Sequence, residues 1–417
     1  MKSLRMVLTL AVPLALSASL FAAGHASANP ALANQSPKST GHGSNGPASP
    51  SQPTNISYLI TNDDSPGKCG ATGGTFFPIA SDGTLGASTR VSLGGAGVGG
   101  GYFAANRVSI YQPASGDACA FMSIAGAAEI GGVDINTLHD VGNFSGSTGE
   151  SAMDNGIGLT NNGTYLYASF TTSNTIATFA ILPGCALSFL GDISPLGLQN
   201  GNVKGMAMHG NLLIVTYGDG SIESFNASAG IPVSNGDLQE STGQAKDLFP
   251  VGVDITQDGH YAIFGDQSTT TDVEVSDISS GKLTTTVLYH VGPAGNSASV
   301  YLSPDETLLY ISNSGSGRAT AAFFNATTGV ITPGCISNKL HGFDNSWTFL
   351  DSPVTQLNTG TGSVLYLAEF GNPSTIAVID IASTGTACTL TEEATSPVQD
   401  PDSATLLTIG VYPPRSF

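Results

Sequence analysis

Acidic and amide side chains recur at or just past the ends of short apolar runs: Asn62-Asp63-Asp64, Asp154-Asn155, Asp254, Asp266, Asn313 and Glu369. Two arginines, Arg107 and Arg318, follow runs of the same kind. A carboxylate can take a proton from water and a guanidinium can hold a developing oxyanion. Glu369 or Asp266 as base, with Arg107 or Arg318 holding the anion, is therefore a set able to hydrolyse an ester. Asn62 and Asn313 add amide groups for binding.

Two longer stretches between runs carry further candidates. Asp134–Met153 holds His139, Asp140 and Glu150, and Ile336–Ser352 holds His341, Asp344, Asn345 and Trp347, the single Trp of the chain. Long loops on a rigid scaffold commonly carry binding groups, and an aromatic ring beside amide and carboxylate suits a sugar. Turn and edge solvation accounts for these acids equally well, and Trp347 would serve equally as the anchor of a loop covering a sheet edge. Asp63 and Asp64 with Asn62 offer hard oxygen ligands of the kind Ca²⁺ takes. The seven His form no i, i+4 pair and no His-x-His, so zinc is not predicted. Gly94–Gly101 has no helical pattern after it, the context a phosphate loop needs, and no other cofactor is expected.

These residues must be positioned by the runs that precede them. Val300–Leu302, Leu308–Asn313, Ala319–Phe324 and Val330–Thr332 are four apolar or alternating runs separated by Ser303-Pro304-Asp305-Glu306, Ser314–Arg318 and Asn325–Gly329. Pro and an acid, then a permissive Gly, are turn chemistry, and the pattern predicts a four-stranded antiparallel sheet. The unit recurs. Second strands are predicted to end at 62, 106, 170, 217, 265, 313 and 369, spaced by 44, 64, 47, 48, 48 and 56. A period near 50 with four strands is that of a propeller blade. The fold class is all-β, a seven-bladed β-propeller over residues 55–417. Its first blade begins at the second strand, so the tail Ala404–Tyr412 is expected to supply the missing strand and close the ring. Closure would remove exposed sheet edges.

Leu309–Asn313, Leu365–Asp380 and the Ser303-Pro304-Asp305 turn resemble the YVTN-type repeats of the lactonase family of seven-bladed propellers, which includes 6-phosphogluconolactonase-like and carboxymuconate cyclase-like proteins. The likeness runs from about Ile56 to the C-terminus. It implies a hydrolase or isomerase acting on a sugar lactone or related cyclic ester. Propellers of this kind also host proteins without catalysis, so a propeller binding a carbohydrate, a lactone or a surface protein through its channel mouth or face loops stands beside it. No catalytic motif of the family maps onto particular residues here.

Residues 1–28 read as a secretory signal: Lys2 and Arg5, an apolar core Met6–Phe21, and Ala26-Ser27-Ala28 for cleavage. Residues 29–54 read as a disordered Pro/Ser/Gly-rich linker. A secreted or periplasmic protein without a membrane span after signal removal follows. The chain carries a net charge of −19, and without Lys2 and Arg5 the ten remaining bases against 31 acids leave −21. Such a charge disfavours nucleic acid and anionic membranes as partners. Export permits disulfides among Cys69, Cys119, Cys185, Cys335 and Cys388. The last four are read as equivalent positions near the starts of fourth strands, too far apart to pair. Cys69–Cys119 is the bridge expected.

Overall fold

The structure is a computed structural model that describes residues 56–63, 72–97, 106–113, 116–146, 156–242, 252–267, 270–293, 295, 297–342, 349–359, 362–370, 374–400 and 406–414. The leader, the linker, Asp64, Cys69, Glu150, Asp154, Asn155, Asp344, Asn345 and Trp347 lie outside the described residues.

Apolar runs without alternation need cover on both faces, and seven radially packed sheets provide it. Blade 1 holds Leu406–Tyr412 innermost, then Ser57–Asp63, Gly73–Ile79 and Thr89–Ser92. From inside outward, blade 2 holds Val108–Tyr111, Cys119–Ile124, Glu129–Asp134 and His139–Ser145. Blade 3 holds Ile157–Asn161, Tyr165–Phe170, Thr175–Ile181 and Leu187–Ile193. Blade 4 holds Val203–His209, Leu212–Tyr217 and Ser221–Asn226, with two short outer pieces, Val233–Ser234 and Gln239–Glu240. Blade 5 holds Val253–Ile255, Tyr261–Gln267, Thr271–Asp277 and Val287–Gly292. Blade 6 holds Ser297–Leu302, Leu308–Asn313, Arg318–Asn325 and Val330–Ile336. Blade 7 holds Phe349–Thr359, Gly362–Phe370 and Thr375–Ser383, with Cys388–Glu392 and Val398–Gln399 outside. The innermost strands touch their neighbours in sequence around a complete ring.

The period-two alternation of a strand now has a purpose on both sides. Tyr58 and Ile60 pack toward blade 2, whereas Leu59 between them packs toward blade 7. The described core forms seven apolar clusters, one at each junction between blades. The tail closes the ring as expected, with Tyr58, Leu59, Ile60 and Thr61 pairing with Tyr412, Val411, Gly410 and Ile409. Gly410 is small because a Cβ there would lie 2.9 Å from Ile110 Cδ1 of blade 2. Turn chemistry also serves packing. Gly329 ends a hairpin at φ +67°, and a Cβ on it would sit 2.6 Å from the Tyr261 ring of blade 5.

Blade 2 departs from the expectation. The second strand does not end at Asn106, which adopts φ +57°; Arg107 precedes the innermost strand, Val108–Tyr111, and the second strand is Cys119–Ile124. The apparent insertion at Asp134–Met153 contains the outermost strand His139–Ser145, so the gap of 64 came from a displaced register. In the stretch Ile336–Ser352, the innermost strand of blade 7 starts at Phe349.

The cysteine expectation is corrected as well. Cys119 bonds Cys185, joining blades 2 and 3, and Cys335 bonds Cys388, joining blades 6 and 7, each with Cα atoms 5.5 Å apart. Cys119 opens a second strand, and the turn Pro183–Cys185 leans back over it, held by the Gly184 N–H donating to Asp117 Oδ2 at 2.8 Å. In blade 6 a bulge leaves Gly334 unpaired, since Ala321 faces Cys335 and Ala322 faces Pro333. A bulge redirects its strand, and here Gly334 comes close to Cys388 Sγ. With Cys119 so engaged, the bridge to Cys69 does not form. Each disulfide closes a long loop, 66 and 53 residues in sequence. Replacing Cys335 and Cys388 together by Ala should cost about 2–4 kcal/mol of stability, read as a lower melting temperature in non-reducing buffer; reduction of the wild type, which opens both bridges, should lower it further.

Candidate ligand site at the channel mouth

Innermost strands begin, and second strands end, on the same rim of the ring, because the two are antiparallel neighbours. In blade 1 the end of the second strand meets Thr408, with Asn62 opposite it in register. The Thr408 Oγ1 accepts from the Arg107 backbone N–H at 2.9 Å. The Arg107 carbonyl accepts from the Ser123 N–H at 3.1 Å, and the Ser123 carbonyl accepts from Asn62 Nδ2 at 2.9 Å. Thr408, Arg107, Ser123 and Asn62 thus form one hydrogen-bonded chain across the junction of blades 1 and 2. Arg107 is 1% exposed.

The left-handed turn at Asn106 carries this segment onward. Its carbonyl accepts from the Leu159 N–H of blade 3 at 2.7 Å, and its Nδ2 points to the Met206 carbonyl of blade 4 at 3.5 Å. Lys204 stands near the start of the innermost strand of blade 4, with Gly218 leaving room for its stem. Burial, then the Arg107 guanidinium, push the Lys204 ammonium down to about 8. Two cations from blades 2 and 4 therefore feel one another at the inner rim. Asn62 Oδ1 and Ser123 Oγ are buried there without a hydrogen-bond partner among the described residues. Paired cations, an amide acceptor and a hydroxyl make a constellation suited to an anionic, hydroxyl-bearing molecule.

The carboxylates of this rim sit in three separate groups. In blade 1 Asp63 accepts from Thr75 Oγ1 at 2.9 Å, and Asp400, from the segment that leads back to the closing strand, accepts from Thr61 Oγ1 at 2.8 Å. Burial and the Asp400 carboxylate push Asp63 up to about 8, with Arg90 pulling the other way. In blade 5 Asp266 lies opposite Asp272, which lies opposite His290, and His290 Nδ1 is 2.6 Å from Asp272 Oδ1. Both Asp266 oxygens and Glu274 Oε1 are buried without a hydrogen-bond partner among the described residues. Burial, then Glu274 and Asp272, push Asp266 up to about 7. In blade 7 Glu369 accepts from Thr375 Oγ1 at 2.6 Å, and burial with the nearby Glu392 pushes it up to about 7. A Cβ at Gly342 would run into Glu369 and Thr375.

The remaining sequence candidates are also placed. Asn313 is a structural link, accepting from Thr271 Oγ1 at 2.9 Å and donating to Thr320 Oγ1 at 2.8 Å. Arg318 donates to the Ser337 carbonyl at 2.8 Å within blade 6. His341 is exposed and 3.1 Å from Glu392. Among the described residues, no three His, Cys, Asp or Glu side chains gather to hold a metal ion. Asp63 faces Asp400 and Thr75; Asp64, its expected partner for Ca²⁺, lies outside the described residues. Of the candidate bases and anion holders, Arg107 alone belongs to the hydrogen-bonded chain described above. Lys204 and Asp400 were not signalled by the sequence: Lys204 is a lone base inside an apolar run, and Asp400 meets Asp63 across 337 residues.

No family model matches this chain, and no curated protein matches it. Solved structures do. A "putative 6-phosphogluconolactonase" of Bacteroides fragilis superposes with a TM-score of 0.64 at 15% identity, covering 87% of this chain and 99% of the other. The periplasmic gluconolactonase of Pseudomonas aeruginosa gives 0.61 at 12% identity, covering 86% and 99%. A Lactobacillus plantarum protein gives 0.59 at 14%, covering 86% and 99%. At these identities the likeness is one of fold, that of a seven-bladed propeller.

The Asp63 pair has a pH signature. A carboxyl raised in the folded state binds its proton more tightly than in the unfolded chain, so it contributes stability at acid pH that is lost as pH rises from about 4 through about 8. Asp63→Asn mimics the protonated form. The stability difference between this variant and wild type should grow in the variant's favour between those pH values and level off above them, as measured by urea unfolding at several pH values. A difference that stays constant with pH would contradict the assignment.

Proposed function

We propose that this propeller binds a sugar acid or sugar lactone at the inner rim of blades 1–4, with Arg107 and Lys204 facing the anionic or carbonyl oxygen. The observation that carries the reading is that the half-buried Lys204 of blade 4 lies within the electrostatic reach of the buried Arg107 of blade 2, in a chain where 31 acids outnumber 12 bases. Two cations at one rim of an otherwise acidic chain favour an anionic ligand there. Asn62 Oδ1 and Ser123 Oγ would take ligand hydroxyls. The fold likeness to the lactonases named above supports the same ligand class.

A second reading, hydrolysis of the lactone, is favoured by Glu369 and Asp266, both raised to about 7 and so able to exchange protons near neutrality. Neither joins the hydrogen-bonded chain around Arg107, which is why binding is placed first. Two disulfides suit an oxidising compartment, and no helix among the described residues is long and apolar enough to cross a membrane. The disulfides support the export expected from residues 1–28.

Calorimetric titration with gluconate and glucono-δ-lactone tests the proposal. A charge-assisted hydrogen bond contributes about 1.5–3 kcal/mol, so Arg107→Met and Lys204→Met should each weaken binding roughly 10- to 100-fold. Gluconate affinity should fall as pH rises through about 8, where Lys204 loses its proton, and Lys204→Met should lack that dependence. Unchanged affinity in both variants would sink the site. Turnover of the lactone that disappears in Glu369→Gln or Asp266→Asn would move the reading to hydrolase.

A further inference from the structure

The outer edge of each blade presents unpaired backbone N–H and C=O groups, and such edges are normally blunted by charge, Pro or shortness. Six of the seven edges here show such a device. Blade 1 ends in the four-residue strand Thr89–Ser92 with Arg90 in it, and blade 2 in a strand opening with His139 and Asp140. Blade 4 has two pieces of two residues each. The blade 5 strand carries His290 in ion-pair contact with Asp272, the blade 6 strand carries Pro333, and blade 7 ends in broken pieces containing Glu392.

Blade 3 differs. Its edge strand Leu187–Ile193 is seven residues long with Ser188, Phe189 and Leu190 exposed in succession, and Asp192 is its single charged residue. Apolar side chains extend the patch on either side. Leu182 precedes it, Leu196 and Leu198 follow it, and Ile231 of blade 4 lies against Gly191. Of nine large apolar side chains exposed among the described residues, seven fall between Leu182 and Val233. The sequence is as sparing of charge: between Asp154 and Asp219, Asp192 is the sole one of the chain's 31 acids.

We infer that this edge is a self-association surface, on which the blade 3 strand of a second copy pairs antiparallel about a two-fold axis. Charge argues for the occupant. Two chains of net charge −19 repel across most of their surface, and this arc is where copies can approach at least electrostatic cost. A strand paired with its own copy about a two-fold is self-complementary in hydrogen bonds and side chains, and it turns two four-stranded blades into one eight-stranded sheet. An anionic membrane is disfavoured by the same charge. Residues 29–54 are too poor in apolar side chains to cover the patch.

Sedimentation equilibrium of the full chain at micromolar concentration provides the test. Wild type should have twice the chain mass. Leu190→Lys, or Ser188→Lys at an already exposed polar position, should give the monomer with an unchanged melting temperature. Val287→Lys, on the blade 5 edge, should leave the dimer intact. A monomeric wild type, a dimer surviving both blade 3 variants, or one lost equally in Val287→Lys would overturn the proposal.

Discussion

Antiparallel pairing between Ser57–Asp63 and the last strand, Leu406–Tyr412, turns a row of sheets into a ring, and the other contacts presuppose it. Without that strand, blade 1 would lack its inner member, and Leu59 would lose Ile409 and Val411 from the cluster facing blade 7. Leu, Ile and Val side chains of this kind stabilise by about 1.5–3 kcal/mol each when buried. The same strand supplies Thr408, whose hydroxyl fixes the backbone at Arg107. Closure of the fold and placement of the cation therefore rest on the same few residues.

The rim is where an acidic protein concentrates groups that are costly to bury. Asp63 with Asp400, Asp266 with Glu274, and Glu369 near Glu392 each hold a carboxyl above its ordinary range. Elsewhere the acids behave oppositely. Asp219 takes hydrogen bonds from the backbone N–H groups of Gln199, Gly201 and Ser221, and Asp305 from Ser303 and Thr307, which keep both below the usual range against the effect of burial. Turn acids are thus stabilised as anions, while acids at second-strand ends are held near neutrality. The difference follows from position: a turn offers free N–H donors, and a strand packed between blades offers few.

Much of this was legible in the residues. The unit Ser299–Thr332 contains four runs and three turns in order, and the structure reproduces it as Ser297–Leu302 through Val330–Ile336. The tail strand could be inferred because blade 1 opened at a second strand. Asp266, Glu369 and Arg107 stood out by ending or following apolar runs, and all three are buried at the rim. What failed depended on contacts remote in sequence. Tyr102-Phe103 has the look of a second strand, and only ring geometry shows that Cys119–Ile124 fills that place. The disulfides needed a leaning turn at Cys185 and a bulge at Gly334; a Pro-Gly pair precedes each of these cysteines, but it marks a turn and names no partner. Lys204 became a candidate only when the fold brought it within the electrostatic reach of Arg107.

Hydrogen exchange in the presence and absence of gluconate tests the central claim, that the arc of blades 1–4 receives the ligand. The account predicts slower exchange at Asn106–Ser109, Val203–Met206 and Thr408–Val411, with the rims of blades 5 and 7 unchanged. Protection centred on Asp266–Glu274 or Glu369–Ile376, with none at Arg107 and Lys204, would contradict it.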